Sequence, residues 1–465
     1  MSSKSTNHNP IVLALLTLLF AYSLLPAQEG QDWTNFRNIE DKVSDEMVLR
    51  GADARIERYR KGSVTLNLYN EDRKPLPAGT KISINMKQHA FHFGSNATWL
   101  FNYDKGMINR FETLPELAKR FETHFLDIFN YLTITCFWSR YEPEPGKPKY
   151  EITEQTLAWA KKHKLATKVH PLAWNWVPEP KWIQEMSSTE IIEAQLKRVR
   201  DFMGHFKGRI ETYEVLNEPS GWFRERAEGK KLIAATRGVG FENFYKQLYQ
   251  EAKRADPLAK LAVNDFQAVQ EYKTTGIDPL LGAGPNGVDL VDIIGIQSHY
   301  HWRPRQPLKE IWDMAEMFKD YGKPIYFTEL SISEGFKNGA REWVSNPQTE
   351  AKHIKDITSV YTTLFSHPNV EGIIYWWPSD LYTLNGDPCG LLDKQNNPKP
   401  AYLALKKLIK EKWWTRESAT LKENGKIEIR GFYGKYEVTV EMPNGAIQST
   451  EFNLDKNVSQ VDVVL

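Results

Sequence analysis

Residues 167–219 read TKVHPLAWNWVPEPKWIQEMSSTEIIEAQLKRVRDFMGHFKGRIETYEVLNEP, and this stretch decides the fold. An apolar run, Thr167–Trp174, gives way to a Pro-rich turn and then to a long helical pattern. A second apolar run, Thr212–Leu216, follows. Ser187 and Glu190 have the Ser-x-x-Glu spacing of a capping box, which predicts where the helix starts. Ile192, Leu196, Val199 and Met203 recur on one face at helical spacing. A strand, a helix and a strand in this order form a parallel β/α unit, because a crossover of this length is what parallel pairing requires.

The unit repeats outward in both directions. Phe91–Gly94, Leu132–Ile134, Leu261–Asn264, Ile293–Ile296, Ile325–Thr328 and Gly372–Trp376 bring the strand candidates to eight. A further helix is expected with Ala351, Ile354, Thr358, Tyr361 and Leu364 on one face. Eight units over roughly 320 residues predict an α/β fold, a closed (β/α)8 TIM barrel. The open doubly wound sheet is the structural alternative, but no G-x-G-x-x-G turn supports it.

The flanks change pattern. Ser63–Asn70 alternates, with Val64, Leu66 and Leu68 on one face. Lys81–Lys87 alternates too, with Ile82, Ile84 and Met86, and a Pro/Gly break separates the two runs. Beyond Trp413-Trp414, strands are expected at Lys426–Arg430, Tyr436–Glu441, Ser449–Leu454 and Gln460–Leu465. The expected divisions are residues 1–27, a signal peptide; 28–88, a linker and N-terminal β element; 89–410, the catalytic barrel; and 411–465, a small C-terminal β domain. Residues 28–60 read as a linker or loosely packed arm. The two β regions are expected to meet, since the ends of a domain often lie close together. Their exposed aromatics, such as Phe432 and Tyr433, are few, so support of the barrel is the expected role.

Lys4, the apolar run Ile11–Leu25 and Ala27 have the arrangement of a secretory signal. The run is short for a membrane span of about 20 residues. A secreted or periplasmic protein is expected, with no stable membrane insertion after signal cleavage; an uncleaved anchor is the alternative. The net charge is +1 over 465 residues, which gives no electrostatic reason to expect nucleic acid. Fifteen tryptophans suit both a large core and a surface that stacks on flat ligands. Two cysteines, Cys136 and Cys389, leave pairing open, and no Cys/His cluster has zinc-like spacing. A monomer with no cofactor is expected.

In a barrel, reacting groups lie at the C-terminal ends of strands. Tyr213-Glu214-Val215-Leu216-Asn217-Glu218-Pro219 and Ile325-Tyr326-Phe327-Thr328-Glu329-Leu330 each carry a glutamate there. Two carboxyl groups flanking a glycosidic bond are what its hydrolysis requires.

At these residues the sequence resembles glycoside hydrolase family 10, whose typical members are endo-β-1,4-xylanases. Asn217-Glu218-Pro219 is similar to that family's acid/base motif and Thr328-Glu329-Leu330 to its nucleophile motif. Phe91–Gly94, Val169–Trp174, Val263–Asp265, Gly295–His299 and Gly390–Asp393 followed by Asn397–Tyr402 extend the likeness over about residues 89–408. The resemblance implies a retaining mechanism without a metal, with Glu329 as nucleophile and Glu218 as acid/base. In retaining enzymes the two carboxyl groups lie about 5–5.5 Å apart. It also implies that Asn217 binds the sugar 2-OH, that Gln297 lies beside Glu218 and that His299 orients Glu329. His170, Trp174 and Trp376 would surround the sugar being cleaved. The implied substrate is a polysaccharide or oligosaccharide with β-1,4 linkages, xylan first.

The departures are concentrated. Where the family has Glu-Asn-Glu-Met-Lys-Trp, this chain has Thr133-Ile134-Thr135-Cys136-Phe137-Trp138. Ile134 and Phe137 cannot supply the hydrogen bonds that hold sugars upstream of the cut. Asn175 replaces a His, Ser331 an Asp, Trp377 a Gly and Leu384 a Trp. A different or decorated β-glycan, a transglycosylase, and a carbohydrate-binding protein with a degenerate site are therefore the rival readings.

Overall fold

The computed structural model describes residues 43–102, 108–174, 179–222, 230–266, 268–301, 304–335, 345–422 and 425–465. The expected signal peptide and Asn175 lie outside the described residues.

In chain order the strands of four residues or more are β1 (Lys61–Tyr69), β2 (Lys81–His89), β3 (His92–Asn96), β4 (Tyr131–Thr135), β5 (Ala166–His170), β6 (Thr212–Asn217), β7 (Lys260–Asp265), β8 (Ile293–Ile296), β9 (Ile325–Ile332) and β10 (Val370–Tyr375). Five more follow: β11 (Arg416–Thr420), β12 (Lys426–Phe432), β13 (Gly434–Glu441), β14 (Ile447–Leu454) and β15 (Gln460–Val464). Each strand from β3 to β9 pairs in parallel with the next, and β10 pairs in parallel with β9 and with β3. The eight strands therefore close into a barrel. Tyr131, Ala262, Ile293, Tyr326 and Ile374 form a separate buried cluster, one from each of five barrel strands, as side chains filling a barrel interior do.

The eight expected strands all form, with two instructive differences at their ends. The run expected as Thr167–Trp174 leaves regular strand at His170, because Pro171 has no N–H to give the ladder. Backbone bonds from Leu172 to Glu214 and from Ala173 to Val215 then carry the chain onward beside β6. The run expected to end at Thr328 continues to Ile332, so Glu329 lies within β9 rather than at its end.

The helix Ser188–His205 starts at its capping box, with Glu190 accepting from the Ser187 N–H at 2.8 Å. Ile192, Leu196, Val199 and Met203 are buried on it. The helix Pro347–Ser366 also forms, but its buried stripe is His353, Ile357, Val360, Tyr361 and Leu364, while Ala351 is exposed. The expected stripe was displaced toward Ala351 and Ile354 because this helix is flanked on two sides, by the N-terminal helices and by the helix Pro400–Lys407.

The terminal β regions are interleaved. β1 pairs with β12 and β15, and β2 pairs with β11 and β13. β11 had no alternating apolar pattern, since all five of its residues are exposed. Phe432 is buried against His89 and Phe365 rather than exposed.

Residues 43–60 correct the linker reading. Asp45–Arg50 and Ala52–Arg60 are helices. Arg60 donates to the carbonyls of Phe365 and Val370, each at 2.6 Å, and to that of His367. Arg55 reaches Ser366 Oγ at 3.2 Å and lies over the Trp312 ring. Arg60 thus satisfies carbonyls at the end of the helix Pro347–Ser366, where no intrahelical partner exists, and Arg55 engages the Ser366 hydroxyl beside them. A charged sequence hid this role because the charges point inward.

Cys136 and Cys389 are buried free thiols. Among the described residues no helix is long and apolar enough to cross a membrane.

Candidate active site

A cleft of about 1620 Å³ opens at the C-terminal ends of the barrel strands. It exceeds the ~300–1,000 Å³ of a small-molecule pocket and is large enough for several sugar units. Glu218, Glu329, His170, Trp174, Gln297, His299 and Trp376 all line it. Asn217 does not: it is fully buried behind the wall.

Both glutamate strands are irregular where they need to aim a side chain. β6 shifts register against β7 between Glu214 and Leu216, and β9 shifts against β10 between Phe327 and Leu330. Such bulges redirect side chains locally. Glu218 itself has φ +56°, a left-handed conformation that is unfavourable for a residue with a Cβ. It is held there by its N–H, which donates to the Asn264 carbonyl at 2.7 Å, and by the Gly221 N–H, which donates to its own carbonyl at 2.9 Å.

A continuous set of amides connects the two carboxyl groups. Gln297 Nε2 donates to Glu218 Oε1 at 2.9 Å and to Asn217 Oδ1 at 3.3 Å. Asn264 Nδ2 donates to Asn217 Oδ1 at 3.0 Å and to Glu329 Oε1 at 2.8 Å. Thr328 Oγ1 in turn donates to Asn264 Oδ1 at 2.5 Å, which fixes which way that amide faces. Gly295 is required here, because a Cβ at that position would lie 2.6 Å from Asn264 Oδ1. With Asn217 Oδ1 engaged by two donors, its Nδ2 is left as a buried donor without a partner.

On the other side of Glu329, His299 Nε2 donates to Oε2 at 3.2 Å. Ser331 Oγ lies 2.9 Å from His299 Nδ1 and 3.0 Å from His301 Nδ1, so one hydroxyl serves both imidazoles. Beneath Glu329 is a buried ion pair, Lys168 Nζ to Glu214 Oε2 at 2.6 Å. His170 Nδ1 donates to Glu214 Oε1 at 2.8 Å and lies 3.8 Å from Glu329 Oε1.

These surroundings push the two carboxyl groups apart. Burial raises the Glu218 pKa, and the charge of Glu329 adds to the rise. The hydrogen bond from Gln297 and the neighbouring Trp174 indole offset only part of it. Glu329 is also buried, which alone would raise its pKa. The charge of His170, the hydrogen bond and charge of His299 and the charge of Lys168 outweigh burial and hold it below the usual carboxylate range. One carboxyl is therefore suited to carry a proton and the other to remain an anion, the division of labour that acid and nucleophile require.

Lys168, Glu214 and Asn264 were given no role in the sequence reading. Their signal was present: a Lys and a Glu at interior positions of apolar strands. Charged residues are almost never buried unless paired, and adjacent strands allow that pairing. His170, Glu214 and Glu329 bring possible ligand atoms within 4.8 Å of one another. The Lys168 ammonium and the Asn264 amide already occupy these carboxylates, so the donor set suits an internal hydrogen-bonded ion pair better than a cation.

Phe137 lines the cleft 6.0 Å from the His170 ring and 5.7 Å from Trp174. Ile134 is buried and does not line it. Leu114, Leu117, Ile233, Leu381 and Leu384 add further apolar wall.

The family model for Glycosyl hydrolase family 10 matches residues 110–408, more than half of the chain. The chain belongs to glycosyl hydrolase family 10. Among curated relatives, it is 24% identical over 414 residues to the anti-sigma-I factor RsgI6 of Acetivibrio thermocellus, covering 87% of this chain but 48% of that protein. It is 24% identical over 432 residues to endo-1,4-beta-xylanase 5-like of Arabidopsis thaliana, covering 89% of this chain and 68% of the relative. It is 28% identical over 323 residues to endo-1,4-beta-xylanase B of Thermotoga neapolitana, covering 65% and 87%. The fold matches the solved structure of xylanase 10B from Thermotoga maritima, with a TM-score of 0.56, 24% identity and coverage of 70% of this chain and 96% of the other. The chain thus spans about half the length of one curated relative and most of the others named.

Proposed function

We propose that this protein is an exported, monomeric, retaining glycoside hydrolase that cuts within a chain of β-1,4-linked sugars, xylan or a related plant-type polysaccharide. The observation that carries the reading is the opposed tuning of Glu218 and Glu329 within one cleft, linked through Gln297, Asn217 and Asn264. Family membership and the xylanase names among the relatives support the substrate class.

The first step forms a bond from the Glu329 carboxylate to the anomeric carbon. The glycosidic C–O bond breaks, and Glu218 gives its proton to the leaving oxygen. In the second step Glu218, now a carboxylate, takes a proton from water. That water attacks the anomeric carbon and releases Glu329. Asn217 Nδ2, left without a partner, is assigned to the sugar 2-OH, a bond that requires this buried side chain to be reached from the cleft when the sugar binds. His299 and His170 hold the nucleophile in place, and Trp174 and Trp376 enclose the sugar.

Reducing-end release measured over a panel of xylans, glucans and mannans tests this, with Glu329→Ala as the control. Activity on xylan that vanishes in the variant supports the reading. Binding without hydrolysis of any member would favour instead the carbohydrate-binding protein, a rival kept open by the apolar Phe137 in the cleft wall.

A further inference from the structure

Among the described residues, one cation of the cleft wall, Arg110, makes no ion pair and has a buried donor with no acceptor. That donor is its Nε, and its guanidinium makes no hydrogen bond with those residues. It lies 5.8 Å from the centroid of the Trp99 ring, beside Leu114 and Leu117. A buried guanidinium donor left unmade costs free energy, most of all next to apolar groups. Arg60 is satisfied by three carbonyls and Arg305 by Asp45 and Asp356. Arg198 Nε also lacks an acceptor, but the same guanidinium donates to the Cys136 carbonyl, whereas Arg110, which lines the cleft, has no such bond among the described residues.

Two further features fit an anionic occupant. Among the described residues lining the cleft, the only carboxylates are Glu218 and Glu329, while Arg140 and Lys230 line it as well. A row of rings also leads from that pair to Arg110. Trp376 packs 4.9 Å from His170, Trp377 lies 6.2 Å from Trp376, Tyr382 6.1 Å from Trp377 and Trp99 6.5 Å from Tyr382. The indole N–H of Trp377 and the hydroxyl of Tyr382 are buried without partners along this row. Sugar rings lying against it would satisfy those groups and bring a substituent to Arg110.

We propose that Arg110 is a specificity residue that binds the carboxylate of a uronic acid substituent, so that the preferred substrate is an acidic, uronate-decorated β-glycan rather than a neutral one. The guanidinium fork matches a carboxylate through two parallel N–H donors, which no neutral sugar hydroxyl reproduces. This deepens the hydrolase reading and rests on it for the choice of glycan.

The test compares xylotetraose carrying one glucuronic acid with the same oligosaccharide after reduction of its carboxyl to an alcohol. Wild-type protein should show kcat/KM roughly 10–100-fold higher on the acid, the range expected for a hydrogen bond to a charged group. In Arg110→Met, which keeps the apolar stem over Trp99, that ratio should fall toward one; Arg110→Lys should keep part of it. A ratio of one in the wild type, or a ratio that Arg110→Met leaves intact at an unchanged melting temperature, overturns the proposal. Calorimetric titration of both oligosaccharides gives the same comparison without turnover. Tighter, Arg110-dependent binding of the acid with no hydrolysis would uphold the subsite and sink the hydrolase reading. Hydrolysis of both at equal efficiency would do the reverse.

Discussion

The cleft has two regions built to different rules. Around Glu218 and Glu329, nearly every polar atom is engaged, and the side chains are fixed by bulges, a left-handed residue and a buried ion pair. Along the wall from Phe137 to Trp99, the lining is aromatic and aliphatic, and several donors have no partner at all. The difference shows where the sequence is free to vary. Breaking a bond needs two carboxyl groups of opposed pKa held by several neighbours at once, so a single replacement disturbs all of them. Holding a glycan needs only a surface, which can be rebuilt one side chain at a time to select another ligand.

Loss of Glu329, the proposed nucleophile, should produce the largest effect. Glu329→Ala is expected to lower kcat by roughly four orders of magnitude or more, as removal of a group that acts in a catalytic unit does; substantial residual hydrolysis would remove Glu329 from that role. Glu218→Ala should cost about 10²–10⁴-fold on a natural polysaccharide. It should spare the first step on aryl glycosides with good leaving groups. Equal losses on both kinds of substrate would count against proton donation.

Beneath the reacting pair, Lys168→Met leaves Glu214 buried and uncompensated. A loss of about 3–5 kcal/mol in unfolding free energy is expected, read by chemical denaturation. A change below about 1 kcal/mol would mean that Glu214 is stabilised by His170 and Asn264 alone. Across the boundary between the two regions, Phe137→Lys introduces a charged donor at the upstream wall. KM for linear, unsubstituted xylo-oligosaccharides should fall roughly tenfold with kcat little changed. An unaltered KM would mean that the upstream sugars do not pass Phe137.

The smallest effect is in pH dependence. The proposed mechanism needs Glu218 protonated and Glu329 ionised, so kcat/KM should fall as pH rises through the raised Glu218 pKa and as pH falls through the lowered Glu329 pKa. The Gln297 amide lowers the Glu218 pKa, so Gln297→Ala should move the alkaline limb upward by about one unit or less. A downward shift would place that limb on another group.

The fold and the two glutamates were legible because both leave local marks. Period-2 apolar runs, the Ser187 capping box and helical spacing each report burial on one face, and a chain of such units has few ways to close. Glu218 and Glu329 were legible because each follows an apolar strand run. The support beneath them was less so. Lys168, Glu214 and Asn264 meet across three different strands, and nothing local indicates which strands are neighbours. The helices of residues 45–60 were misread as a loose arm because their arginines look solvent-facing until the end of the helix Pro347–Ser366 is placed beside them. β11 was missed because an exposed edge strand has no apolar face to alternate.

The sequence by itself determined a (β/α)8 barrel with two carboxyl groups at its C-terminal face, and the loss of polar residues at Ile134 and Phe137. Only the tertiary structure supplied the surroundings that raise the Glu218 pKa and lower that of Glu329. A pKa is set by burial and by charges arriving from other strands. It alone also decided that Arg110 lines the cleft with no ion pair among the described residues, because whether a cation is paired depends on what folds against it.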